Sequence, residues 1–138
     1  MATVELRFSA LPEHVRTARL VAAAVARRAG VDEAVLDEVR LAVGEACSRA
    51  VGLHVSNDIA APVWVLLIED EKKFSIEVGD EVPGGPGSGS HGDSEGEGED
   101  EMGLAVISGL VDDVEVTSGE RGGVIRMTWP TAPAPALS

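Results

Sequence analysis

From Pro83 to Asp100 the chain offers only glycine, acid, serine, proline and one histidine, with no large apolar side chain. A stretch of this composition cannot offset the entropy of its own ordering, so it reads as mobile. It separates two patterned blocks, residues 3–80 and 102–130. At 138 residues the chain has the length of one domain. A structureless insertion of 18 residues inside one compact domain is unusual unless it is a lid or a degenerated site.

The first block opens with alternation: Val4, Leu6 and Phe8 against Glu5 and Arg7 predict a strand over Thr3–Phe8. Pro12 then stands where the first residue of a helix tolerates proline. Leu11, Val15, Ala18, Ala22, Val25 and Ala29 follow at steps of four and three, one face of a helix that ends at Gly30. Asp32 is placed to cap a second helix, with Val31 and Leu36 as a hydrophobic staple. Its stripe is Leu36, Val39, Val43, Ala46 and Ala50, running to about His54.

After a loop at Asn57–Pro62 come an apolar run, Pro62–Ile68, and an alternating one, Lys73–Val78. The polar turn Asp70-Glu71 makes them a hairpin. Beyond the glycine-acid stretch, Met102–Val111 reads as a short helix. Val114–Thr117 and Val124–Trp129 form a second hairpin around Gly119–Gly123. Residues 131–138 are a loose Pro/Ala-rich tail. The order β-α-α-β-β-loop-α-β-β predicts an α+β fold, a two-layer sandwich with helices on one face of a mostly antiparallel sheet.

The charge balance narrows the function. Eleven Lys and Arg against 24 Asp and Glu leave −13, and Asp80–Glu101 holds eight carboxylates and no cation. Such a chain is repelled by nucleic acid and by anionic membranes. Two Trp, two Phe and no Tyr leave little surface for stacking bases. A single cysteine, Cys47, excludes an internal disulfide and reads as a small packed residue. No leader or membrane-length apolar run is visible, so a cytoplasmic protein is expected.

Few residues carry chemistry. Glu45 and Arg49 lie one turn apart on the second helix, a spacing whose plain meaning is an ion pair worth about 0.3–0.5 kcal/mol if exposed. Val78-Gly79-Asp80 ends a strand with an acid beside glycine, and Met102-Gly103-Leu104 opens a helix whose backbone N–H groups suit phosphate. His14, His54 and His91 lack metal-ligand spacing, and no metal site is expected. Ser88, Ser90 and Ser94 reflect loop composition as readily as phosphoacceptor sites. Trp64 and Trp129 read as core or dimer-packing residues. No P-loop, dinucleotide or nucleophile-elbow motif occurs.

The run Leu41-Ala42-Val43-Gly44-Glu45-Ala46-Cys47-Ser48-Arg49-Ala50-Val51 resembles the N box of the GHKL ATPases of Bergerat, or histidine-kinase-like, fold. It is most similar to the bacterial anti-sigma factors that are also serine-protein kinases. By that resemblance, Glu45 is the catalytic base, Asp80 reads the adenine amino group, and Gly103-Leu104 closes the phosphate-binding box. It covers residues 3–130, which makes 1–130 one GHKL-like domain. The departures are specific. The family's Mg²⁺-ligating asparagine is Arg49 here, and a guanidinium has no lone pair for a metal. Val82 stands where a glycine is expected, crowding the adenine side. Glu101 takes the place of the first glycine of the phosphate box, within an acidic stretch that repels triphosphate.

The resemblance therefore implies an anti-sigma-factor-like regulator that binds a sigma factor, an anti-anti-sigma STAS-domain protein, or both. It implies a homodimer, and partner switching without ATP or Mg²⁺ as working cofactors. The alternative is an active serine-protein kinase that phosphorylates the STAS partner with ATP and Mg²⁺, Glu45 acting as base and Arg49 holding phosphate. In either case Glu45, Arg49, Asp80, Gly103 and Leu104 are the candidate site.

Overall fold

The computed structural model describes residues 2–83, 104–111 and 113–131. Strand β1 (Ala2–Phe8) leads into helix α1 (Pro12–Ala29), a 3-10 turn (Glu33–Val35) and helix α2 (Leu36–Ser56). Strands β2 (Val63–Glu69) and β3 (Lys73–Gly79) form the first hairpin. A helical stretch at 104–110 precedes the second hairpin, β4 (Asp113–Gly119) and β5 (Gly122–Pro130). The five strands form one sheet in the order β1-β2-β3-β5-β4, each neighbouring pair antiparallel. The fold is the expected α+β sandwich. The mobile stretch expected at 83–100 and the loose tail at 131–138 fall almost wholly outside the described residues.

Local chemistry accounts for the boundaries. Pro12 opens α1, and Gly30 closes it in a left-handed conformation at φ 102° that a side chain would strain. Asp32 does cap, but its carboxylate accepts from Ala34 N–H at 3.0 Å in the 3-10 turn. The α-helix proper starts at Leu36. The buried face of α1 is turned from the expected stripe: Val15, Ala18, Ala22, Ala23 and Ala26 are buried, whereas Leu11 is 44% exposed and Val25 is half-buried. The cause is that α1 packs on both α2 and the sheet, so it needs a wider apolar arc than one stripe.

One face of the sheet makes the core. Val63, Val65 and Leu67 of β2, Phe74, Ile76 and Val78 of β3, and Ile125, Met127 and Trp129 of β5 meet Leu36, Val39, Val43, Ala46 and Ala50 of α2. Ile107 and Val111 join the same core, so the two sequence blocks complete one interior. Cys47 is fully buried in it, and burial pushes its thiol up to about 12. The helix pair is close because alanines line it. A Cβ on Gly44 of α2 would stand 2.8 Å from Arg19 Cδ of α1.

The opposite face carries no described helix. Its side chains run in registered rows, one of them Arg7, Trp64, Gly79, Val124 and Thr117, and Trp64, Leu66 and Ile68 make an apolar stripe along β2. Trp64 is thus not a core residue but lies half-buried on this face, across Gly79. A Cβ on Gly79 would come within 1.9 Å of the indole. No helix among the described residues is long and apolar enough to cross a membrane.

Candidate functional site

The central strand β3 ends at Gly79, and the next residue, Asp80, sits where β3 and the start of β5 lie side by side. Its carboxylate is 6% exposed and therefore has to be satisfied by protein groups. Asp80 Oδ1 accepts from Val82 N–H at 2.8 Å and from Gly123 N–H at 3.2 Å. The Asp80 N–H donates to Gly123 O at 3.0 Å. Gly122 makes this approach possible: its φ is +138°, and a Cβ there would stand 1.9 Å from Asp80 O.

Helix α2 delivers the cation. Arg49 Nη1 lies 3.8 Å from Asp80 Oδ2, with the two side chains 16% and 5% exposed. Glu45, one turn earlier, is half-buried. The structure thus joins two candidates that lie 31 positions apart in the chain, Arg49 and Asp80. Val82 is half-buried and is tied to Asp80 through its own N–H. Leu104 opens the 104–110 helical stretch and packs against the core. Gly103 and Glu101 lie outside the described residues.

Beside Asp80 lies a buried polar residue for which the sequence, weighed only for metal-ligand spacing, suggested no role. His54 is fully buried at the end of α2. Its Nδ1 is 2.9 Å from Ala61 O, and its Nε2 is 2.8 Å from the amide nitrogen of Glu81. The signal was available: Val43, Cys47, Ala50 and His54 follow steps of four, three and four, which puts a polar ring on an apolar face. A polar group so placed needs buried partners.

The described side chains of this site can be set against what the family's Mg²⁺-nucleotide needs. Arg49 brings a positive charge and no lone pair that could ligate a metal. Asp80 Oδ1 is engaged by two backbone N–H groups, and Oδ2, the acceptor left for an exocyclic amine, faces the guanidinium. Among the described residues no group of three His, Cys, Asp or Glu side chains is arranged to hold a metal ion. A polar depression of about 240 Å³ lined by Lys73, Asp113, Glu115, Arg126 and Thr128 shares no residue with this site.

Comparisons with known proteins agree with this architecture. A structure described as the RsbU and RsbW domains of Rv1364c from Mycobacterium tuberculosis superposes with a TM-score of 0.71 at 17% identity. The match covers 100% of this chain and 34% of that one, so this chain spans about a third of that protein's length. At such identity the likeness is one of fold. No curated protein matches the sequence significantly. The family described as the histidine kinase-like ATPase domain matches residues 8–129, from the end of β1 to the end of β5. By that match, which takes in both helices and both hairpins, the chain belongs to the histidine kinase-like ATPase domain family.

Proposed function

We propose that the protein is an anti-sigma-factor-like regulator that acts by occupying a partner surface, with ATP binding and kinase activity weak or absent. The partners are a sigma factor, an anti-anti-sigma STAS-domain protein, or both, and the protein works in the cytoplasm. The observation that supports the reading is the approach of the partly buried Arg49 guanidinium to within 3.8 Å of the buried Asp80 carboxylate, the residue that the family resemblance assigns to adenine. Chemistry that depends on nucleotide is thereby disfavoured, and regulation falls to protein contacts. The net charge of −13 favours a basic face on the partner and an association rate that falls as salt rises.

A homodimer is part of the proposal. The sheet face that no described helix covers, with the apolar stripe Trp64, Leu66 and Ile68 along β2, is the surface that supports it. Family membership and the position of Glu45 on α2 favour the second reading, an active serine-protein kinase.

Two measurements separate them. Calorimetric titration with ATP, with and without Mg²⁺, is expected to give no micromolar binding. Pulldown of candidate sigma and STAS proteins without ATP is expected to give stable complexes. Binding that needs Mg-ATP, or phosphate transferred to a STAS serine, would overturn the regulator reading in favour of the kinase.

A further inference from the structure

Strand β1 forms one edge of the sheet. It pairs with β2 in an unbroken antiparallel register from Ala2 to Phe8, and no described strand lies on its other side. Such an edge offers a row of backbone N–H and C=O groups to any strand that fits it. Edges that avoid pairing carry lysine, proline or a bulge. β1 has none of these.

The side chains of β1 are balanced about Leu6. Glu5 stands before it and Arg7 after it; moving outward come Val4 and Phe8, Thr3 and Ser9, Ala2 and Ala10. Each pair is alike in character or opposite in charge. In an antiparallel pairing of β1 with a second copy of itself, Leu6 on the two-fold axis, Glu5 of each copy faces Arg7 of the other and Val4 faces Phe8. The pairing then sets acid against base on one face and apolar against apolar on the other.

Both faces of the strand have room for that copy. On one, Arg7 Nε donates to Glu5 Oε2 at 2.5 Å within the strand, and both side chains are exposed. A second copy joins these pairs into one cluster of alternating sign. On the other face, Val4, Leu6 and Phe8 are only half-buried, whereas the β2 residues in register with them, Leu67, Val65 and Val63, are fully buried. Helix α1 packs chiefly over β2 and β3, which leaves the edge row short of cover. The opposite edge lacks this balance: β4 carries Asp113 and Glu115 and no cation, so its own copy offers it no opposite charge.

We infer that β1 is a self-pairing edge: two copies of the chain join β1 to β1 in antiparallel register about Leu6, and their sheets continue into one. The inference rests on the homodimer reading and names a surface other than the sheet face of Trp64, Leu66 and Ile68. The contact is isologous, so it closes at two copies and does not grow into a filament. One strand from each copy is small against the roughly 1,200–2,000 Å² of a stable interface, so the dimer exchanges with monomer and its population depends on concentration.

The test is light scattering of the full chain over a concentration series at low salt, with circular dichroism to follow the fold. Wild type is expected to pass from monomer to dimer. Glu5→Arg and Arg7→Glu, each alone, set like charges against each other across the pairing and should weaken association by about tenfold or more. An equimolar mixture of the two variants should regain it, because each copy supplies the charge that the other lacks. The double reversal, Glu5→Arg with Arg7→Glu, should dimerise with itself but form no mixed dimer with wild type in native mass spectrometry. It keeps opposite charges side by side in the strand, so it decides the matter should a single variant fail to fold. A dimer untouched by either single variant, a mixture no better than its components, or mixed dimers of the double reversal with wild type would overturn the edge and leave the homodimer to another surface. Wild type that stays monomeric throughout overturns the edge and the homodimer together.

Discussion

Replacing Arg49 with methionine keeps most of the side-chain volume and removes the charge that faces Asp80. At the observed 3.8 Å separation, an effective dielectric of ~20 gives roughly 4 kcal/mol of attraction before desolvation is charged against it. Both side chains are largely withdrawn from water, so their desolvation takes back a large part. Asp80 keeps two backbone N–H donors in the variant, which softens the loss. Arg49→Met is therefore expected to cost about 2–3 kcal/mol, below the usual cost of stranding a buried charge. Asp80→Asn keeps an oxygen for the two N–H groups and is expected to cost about 1–2 kcal/mol. Arg49 also makes further contacts, so only a double-mutant cycle isolates the pair. The double variant should cost about 1–2 kcal/mol less than the sum of the single ones. Urea unfolding followed by circular dichroism measures all four proteins, and the difference should largely survive salt because the pair is mostly withdrawn from water. Single costs that add to within about 0.3–0.5 kcal/mol would refute the claim that Arg49 and Asp80 form one energetic unit.

Gly79→Ala puts a methyl group into the Trp64 indole, so the ring has to swing off the sheet. A red-shifted Trp64 emission and a loss of about 1–3 kcal/mol are expected, against an unchanged signal from the buried Trp129. Gly52→Ala meets nothing within 4 Å toward the C-terminal end of α2 and should stabilise the protein by about 0.5–1 kcal/mol, read as a higher urea midpoint. Cys47, with its thiol pushed up to about 12 by burial, stays protonated and enclosed. A thiol reagent at mildly alkaline pH should leave the native protein unmodified and label it stoichiometrically in urea. Trp64→Glu should convert a homodimer to monomer by light scattering, if the sheet face free of described helices is the contact; an unchanged mass would exclude that face.

Most of the fold was legible in the chain because its elements follow one periodicity at a time. Alternation in residues 3–8 and 73–78 and the apolar run 62–68 mark strands, and the stripe from Leu36 to Ala50 marks a helix packed on one side. These are local signals, and burial obeys them. Where an element touches two neighbours the signal blurs, as in α1, whose buried arc is wider than its stripe. The candidate residues Glu45, Arg49 and Asp80 were also visible, through the likeness of short motifs.

Their relation was not visible. That β5 rather than β4 lies against β3 is decided by how the second hairpin enters the sheet, and no local pattern encodes it. Yet this pairing brings Gly122 and Gly123 to Asp80, and the packing of α2 on the same sheet brings Arg49 to its carboxylate and His54 to the amide of the next residue, Glu81. A buried carboxylate takes whatever donors surround it, and those donors come from segments far apart in sequence. Residue types along the chain therefore announce that an acid, a cation and a histidine are present. Only the packed sandwich pairs the acid with the cation and ties the histidine to the residue beside that acid, because hydrogen bonds and ion pairs act over a few ångströms of space rather than along the chain.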